Sequence, residues 1–87
     1  MDARIKPMEG AGMPQAAFLK CRFDLTPAEA RIVLRLVAGD SLRCAANALG
    51  ITYGTVRTQL KAVFQKTGTC RQAELVIVVI RAMNDVR

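Results

Sequence analysis

Between Ala30 and Val37 the apolar residues return every three or four positions. Ala30, Val33, Leu34 and Val37 make one stripe, with Ile32 and Leu36 beside it. That is the period of an α-helix. The flanks supply both ends: Thr26 suits the N-cap, Pro27 the first helical position, and Glu29 closes a capping box. Gly39 stops the helix. Arg31 and Arg35, four apart, fall on its outer side.

The pattern then repeats with different contents. "SLRCAANALG" predicts a second helix from about Ser41 to Leu49, capped by Ser41 and rich in alanine, whose small side chains let another helix pack closely. Gly50 supplies the left-handed residue that a tight turn needs. Ile51 fills the corner and Thr52 caps a third helix, Tyr53 to Lys66. There Val56, Leu60, Val63 and Phe64 follow the i, i+4, i+7, i+8 spacing and face inward, while Thr58, Lys61 and Gln65 lie opposite with Arg57 flanking them. After the break "TGTC", the run "LVIVVI" at 75–80 is β-branched and by propensity alone suits a strand. A lone strand has nothing to pair with in so helical a chain, so a fourth helix is expected from about Arg71 to Met83. It is apolar most of the way round, more than one small core covers. The surplus face, at Leu75, Val76, Val79 and Met83, is expected to bury against a second subunit.

Ahead of this unit, "QAAFLKCRF" is a candidate short extra helix within 15–24, with Phe18, Leu19 and Phe23 toward the core. Residues 1–14 have two prolines, two glycines and no apolar period, and read as a flexible arm or linker. The expected architecture is therefore all-α: a four-helix domain at 25–83 with a short additional helix before it.

Composition narrows the function. The 87 residues allow one small domain, and 52% hydrophobic content is too apolar for a disordered chain. Thirteen Lys and Arg against seven Asp and Glu give +6, which favours a polyanionic partner. The excess is local: Arg43, Arg57, Lys61, Lys66 and Arg71 fall between Ser41 and Ala73, a stretch without an acid. The three cysteines (Cys21, Cys44, Cys70) have no zinc spacing and there is no histidine to complete one, so no metal or cofactor is expected. They read as reduced thiols, buried as small hydrophobes, of a cytoplasmic protein. No secretory signal is visible, and six apolar residues cannot span a bilayer.

A helix, a glycine turn and a basic amphipathic helix make a helix-turn-helix arrangement. Its second helix enters the major groove of DNA while the first crosses the backbone. Arg57 reaches guanine O6 and N7 with two hydrogen bonds; Lys61, one turn on, and Thr58 complete the base-facing set. Thr52 and Thr55 stand at the helix start, where hydroxyls and free N–H groups meet a phosphate, and Arg43 and Lys66 are the further phosphate candidates.

The same residues carry a resemblance. Leu25 to Glu29 match Leu-Thr-Pro-x-Glu; Ala46, Leu49, Gly50 and Ile51 match Ala-x-x-Leu-Gly-Ile, followed by Thr52 for serine. Thr55-Val56-Arg57-Thr58-Gln59-Leu60, then Val63-Phe64 and Lys66-Thr67-Gly68, follow Thr-Val-Lys-Thr-His-Leu-x-x-Ile-Tyr-x-Lys-Leu-Gly, and Arg71 to Glu74 match Arg-x-Ala-Glu. Over residues 25 to about 80 the chain resembles the DNA-binding domain of the LuxR (GerE-like) family. The resemblance implies a four-helix transcription regulator that binds double-stranded DNA as a homodimer through its last helix, with RNA polymerase as a candidate further partner. It also implies base-facing roles for Arg57, Thr58 and Lys61 and a phosphate contact at Thr55. Departures are Arg57 for lysine, Gln59 for histidine, Ala45 for a bulky apolar residue and Cys44 for an acid. The family usually joins this domain to an N-terminal receiver or ligand-binding domain, so the chain is either a stand-alone reader or the end of a longer protein.

A second reading is a protein-interaction module that docks through the basic face or through the apolar helix 71–83. An enzyme ranks third: the chain has no histidine, no usefully spaced carboxylate pair and no phosphate-cradling glycine loop, and Tyr53 and the cysteines, the candidate nucleophiles, have no evident base.

Overall fold

The computed structural model describes residues 15–85, so the arm expected at 1–14 lies outside the described residues. Those residues are all-α: α1 (Gln15–Phe23), α2 (Pro27–Val37), α3 (Leu42–Leu49), α4 (Tyr53–Thr67) and α5 (Gln72–Asn84). The additional N-terminal helix is α1, which places Leu19 and Phe23 in the core and leaves Phe18 half-buried.

α2 is the hub and packs on each of the other helices. Its capping box is complete: the Glu29 N–H donates to Thr26 Oγ1 (3.1 Å) and the Thr26 N–H donates to Glu29 Oε1 (2.9 Å). The buried stripe sits one residue earlier than the apolar pattern suggests. Ala30, Ile32, Val33 and Leu36 are buried, whereas Leu34 and Val37 stay partly exposed. A helix with neighbours on several sides buries a wider arc than a surface helix, and Glu29 becomes part of that arc.

α3 and α4 meet at Gly50 (φ 70°), whose N–H donates to Asn47 O while the next N–H, Ile51, donates to Ala46 O (3.0 Å). This pair of hydrogen bonds satisfies orphan carbonyls at the helix end and requires the left-handed residue. Thr52 then caps α4, its Oγ1 accepting from the Thr55 N–H (3.1 Å). Val56, Leu60 and Val63 are buried and Phe64 is half-buried, so α4 is fastened along one side.

"LVIVVI" is helical. Leu75 and Val79 are fully buried against α2 and α4. This corrects their expected place in a subunit interface: both belong to the protomer's own core, because α5 turns them toward α2. Val76 and Met83 are half-buried against the same cluster. The large apolar side chains left open are instead Ile77 (51% exposed) and Ile80 (39%). Cys21, Cys44 and Cys70 are all exposed, not buried. Each falls on an outward position; on α3 the buried positions beside Cys44 are Ala45 and Ala46. No helix among the described residues is long and apolar enough to cross a membrane.

Candidate nucleic-acid interface

With Val56, Leu60 and Val63 turned inward, the spacing of α4 leaves Arg57, Thr58 and Lys61 outside, and all three are exposed. None of these side chains forms an ion pair or hydrogen bond with another described residue. They line an open groove of about 680 Å³ together with Leu60 and Phe64, and Arg71, from the start of α5, lines it too. The groove thus gathers three cations that lie up to 14 positions apart in the chain, between residues 57 and 71.

Thr52 is exposed and Thr55 partly so, and their hydroxyl oxygens lie 2.9 Å apart. Thr52 Oγ1 also accepts from the Thr55 N–H, and either hydroxyl can donate across the pair, so one of the two hydroxyl protons remains to offer an anion. Arg43 is exposed on α3. Its guanidinium carbon stands 4.4 Å from the centre of the Tyr53 ring, and that of Arg57 stands 5.9 Å from the same centre. The Tyr53–Arg57 contact is an i, i+4 pair open to sequence reasoning; the Arg43 contact needs the turn at Gly50.

Lys66 is engaged elsewhere. Its Nζ lies 2.8 Å from Glu29 Oε1, joining the end of α4 to the start of α2. The expected phosphate contact therefore has an internal partner, brought to it from 37 positions away. Burial raises the pKa of Glu29, but the Lys66 hydrogen bond and charge, with the Thr26 N–H and hydroxyl group, outweigh it and leave the value lowered. The acid-free run from Ser41 to Ala73 thus loses one of its cations to an acid outside it. Gln59 is half-buried, and its Oε1 is buried with no hydrogen-bond partner among the described residues.

Comparisons of the chain with protein-family models, with curated proteins and with solved structures give no match.

Proposed function

We propose that the chain is a LuxR-type, sequence-specific DNA-binding transcription regulator, or the DNA-binding part of one, and that α4 reads the major groove. The observation that carries this reading is the composition of one side of α4. Arg57, Thr58 and Lys61 stand exposed together without acidic partners among the described residues, on a helix anchored by its other side. An α-helix of this size fits the major groove, where Arg57 pairs with guanine and Lys61 with a base edge or phosphate. α3 crosses the backbone, with Arg43 and the Thr52–Thr55 helix start on phosphates. Two copies related by a two-fold axis through α5 would present their α4 helices to half-sites about 34 Å apart.

Selection of bound duplexes from a random pool, followed by titration at several salt concentrations, tests the proposal. The expected result is a pool enriched in a two-fold-symmetric site, with affinity that falls steeply with salt while the preference for that site persists. Failure to enrich any sequence, with no complex at low salt, refutes it. Enrichment of none together with salt-sensitive binding to an acidic protein would favour the interaction-module reading, for which the open Ile77 and Ile80 provide an apolar contact.

A further inference from the structure

Tyr53 is the chain's one tyrosine, and two arginines converge on it. Arg43 comes from α3 and Arg57 from the next turn of α4. Both guanidiniums lie within 6 Å of one ring centre, at 4.4 and 5.9 Å, the range in which a cation is held by the ring face. Like charges so gathered repel. Among the described residues the ion pairs are Arg35–Asp40 and Lys66–Glu29, so no acid offsets the repulsion. The ring is half-buried at the base of α4, and a side chain rooted in a capped first helical turn is a fixed platform. Unattached, two long arginines each lose conformational freedom when they bind. Stacked on one ring, they have already lost part of it.

We infer that Tyr53 is a specificity-determining positioning residue: its ring pre-orders Arg57 for a base edge and Arg43 for the neighbouring phosphate, so that one aromatic side chain couples sequence readout to backbone anchoring. The inference rests on the DNA-binding reading and adds to it a residue that itself need touch no base. The occupant it fits is a phosphodiester backbone beside a guanine, since one cation is free to chelate the base while the other neutralises the adjoining charge.

The test uses the whole chain, the selected duplex and a scrambled duplex of equal length. Tyr53→Phe keeps the ring; Tyr53→Leu keeps an apolar helix former but removes the π face. Tyr53→Leu is expected to weaken the selected duplex roughly three- to tenfold and the scrambled one by less: it removes both cation–ring contacts, and re-mobilising Arg43 affects either duplex while re-mobilising Arg57 affects the base contact of the selected one. The salt slope should stay the same, because no charge is removed. Tyr53→Phe should match wild type within about twofold. In an Arg57→Ala background, Tyr53→Leu should no longer change the preference between the duplexes. Free of DNA, the Arg57 side-chain protons should show a ring-current shift in wild type and Tyr53→Phe that Tyr53→Leu abolishes.

A Tyr53→Leu variant with wild-type preference overturns the inference, as does Tyr53→Phe damage equal to that of Tyr53→Leu, or a wild-type spectrum without the shift. Each of these leaves the DNA-binding reading standing, provided the wild-type chain binds its selected duplex. A wild-type chain that binds no duplex removes both.

Discussion

On the proposed LuxR-type reading, Arg57 stands where that family's pattern has lysine, and the difference is physically consequential. A guanidinium offers a planar fork of donors that matches guanine O6 and N7, whereas an ammonium acts as a point charge. Arg57→Ala is therefore expected to cost about 1–3 kcal/mol on the selected duplex and to relax discrimination at one base pair, measured by titrating duplexes with single substitutions. Arg57→Lys should retain the salt slope and lose most of that discrimination. An equal loss at every position for Arg57→Ala would make Arg57 a phosphate contact instead. The exposure of this residue was legible in the sequence, since fixing Val56, Leu60 and Val63 inward leaves 57, 58 and 61 outside by helical geometry alone. Its contact with Tyr53 was available from the same spacing. The Arg43 contact was not, because it depends on the angle at Gly50.

At the scale of elements, caps and turns were the most legible features, being local. Thr26, Ser41 and Thr52 each cap the helix that follows, with bonds of 3.1 Å to the third residue on. What joins the elements was not legible. Lys66 and Glu29 are 37 positions apart, and only the packing of α4 on α2 brings them to 2.8 Å. Glu29 is nearly buried and Lys66 is about one-third exposed, so the pair ranks between an exposed bridge and a buried one. Lys66→Met is expected to destabilise the fold by about 1–2 kcal/mol at neutral pH in a denaturant titration, by leaving the carboxylate without its main counter-charge. It should leave the salt slope of DNA binding unchanged. The pH dependence has a definite sign. A carboxyl whose folded pKa is lowered adds stability that is present above the ordinary glutamate value and is lost as pH falls through the lowered one. The gap between wild type and Lys66→Met should hold steady from neutral pH down to the ordinary carboxylate range and close below it. A gap that persists in acid would assign the loss to packing of the lysine stem, and a shallower salt slope would return Lys66 to the phosphate contacts.

For the whole molecule, the question is which side of α5 the fold leaves open, and whether the proposed second copy uses it. The apolar count of "LVIVVI" rightly indicated more hydrophobic surface than the protomer buries, but composition is blind to rotation about the helix axis. A run apolar on every side offers no polar residue to mark the outside, so the assignment of Leu75 and Val79 to the interface failed where the alternating surfaces of α2 and α4 did not mislead to the same degree. Two substitutions two residues apart now separate fold from assembly. Val79→Asp buries an unpaired carboxylate in the core and is expected to unfold the domain or to lower its stability by more than about 3 kcal/mol. Ile77→Asp places the same charge on a half-open position and should change monomer stability by less than about 1 kcal/mol. If α5 pairs two copies across Ile77 and Ile80, sedimentation of Ile77→Asp should give a folded monomer under conditions where wild type is dimeric. On a duplex carrying both half-sites its affinity should fall toward that for a single half-site, since linked binding of the second reader is lost. A folded Ile77→Asp that remains dimeric would remove this face from the assembly and leave α4, with Arg57, Thr58 and Lys61, acting without the spacing that a two-fold partner imposes.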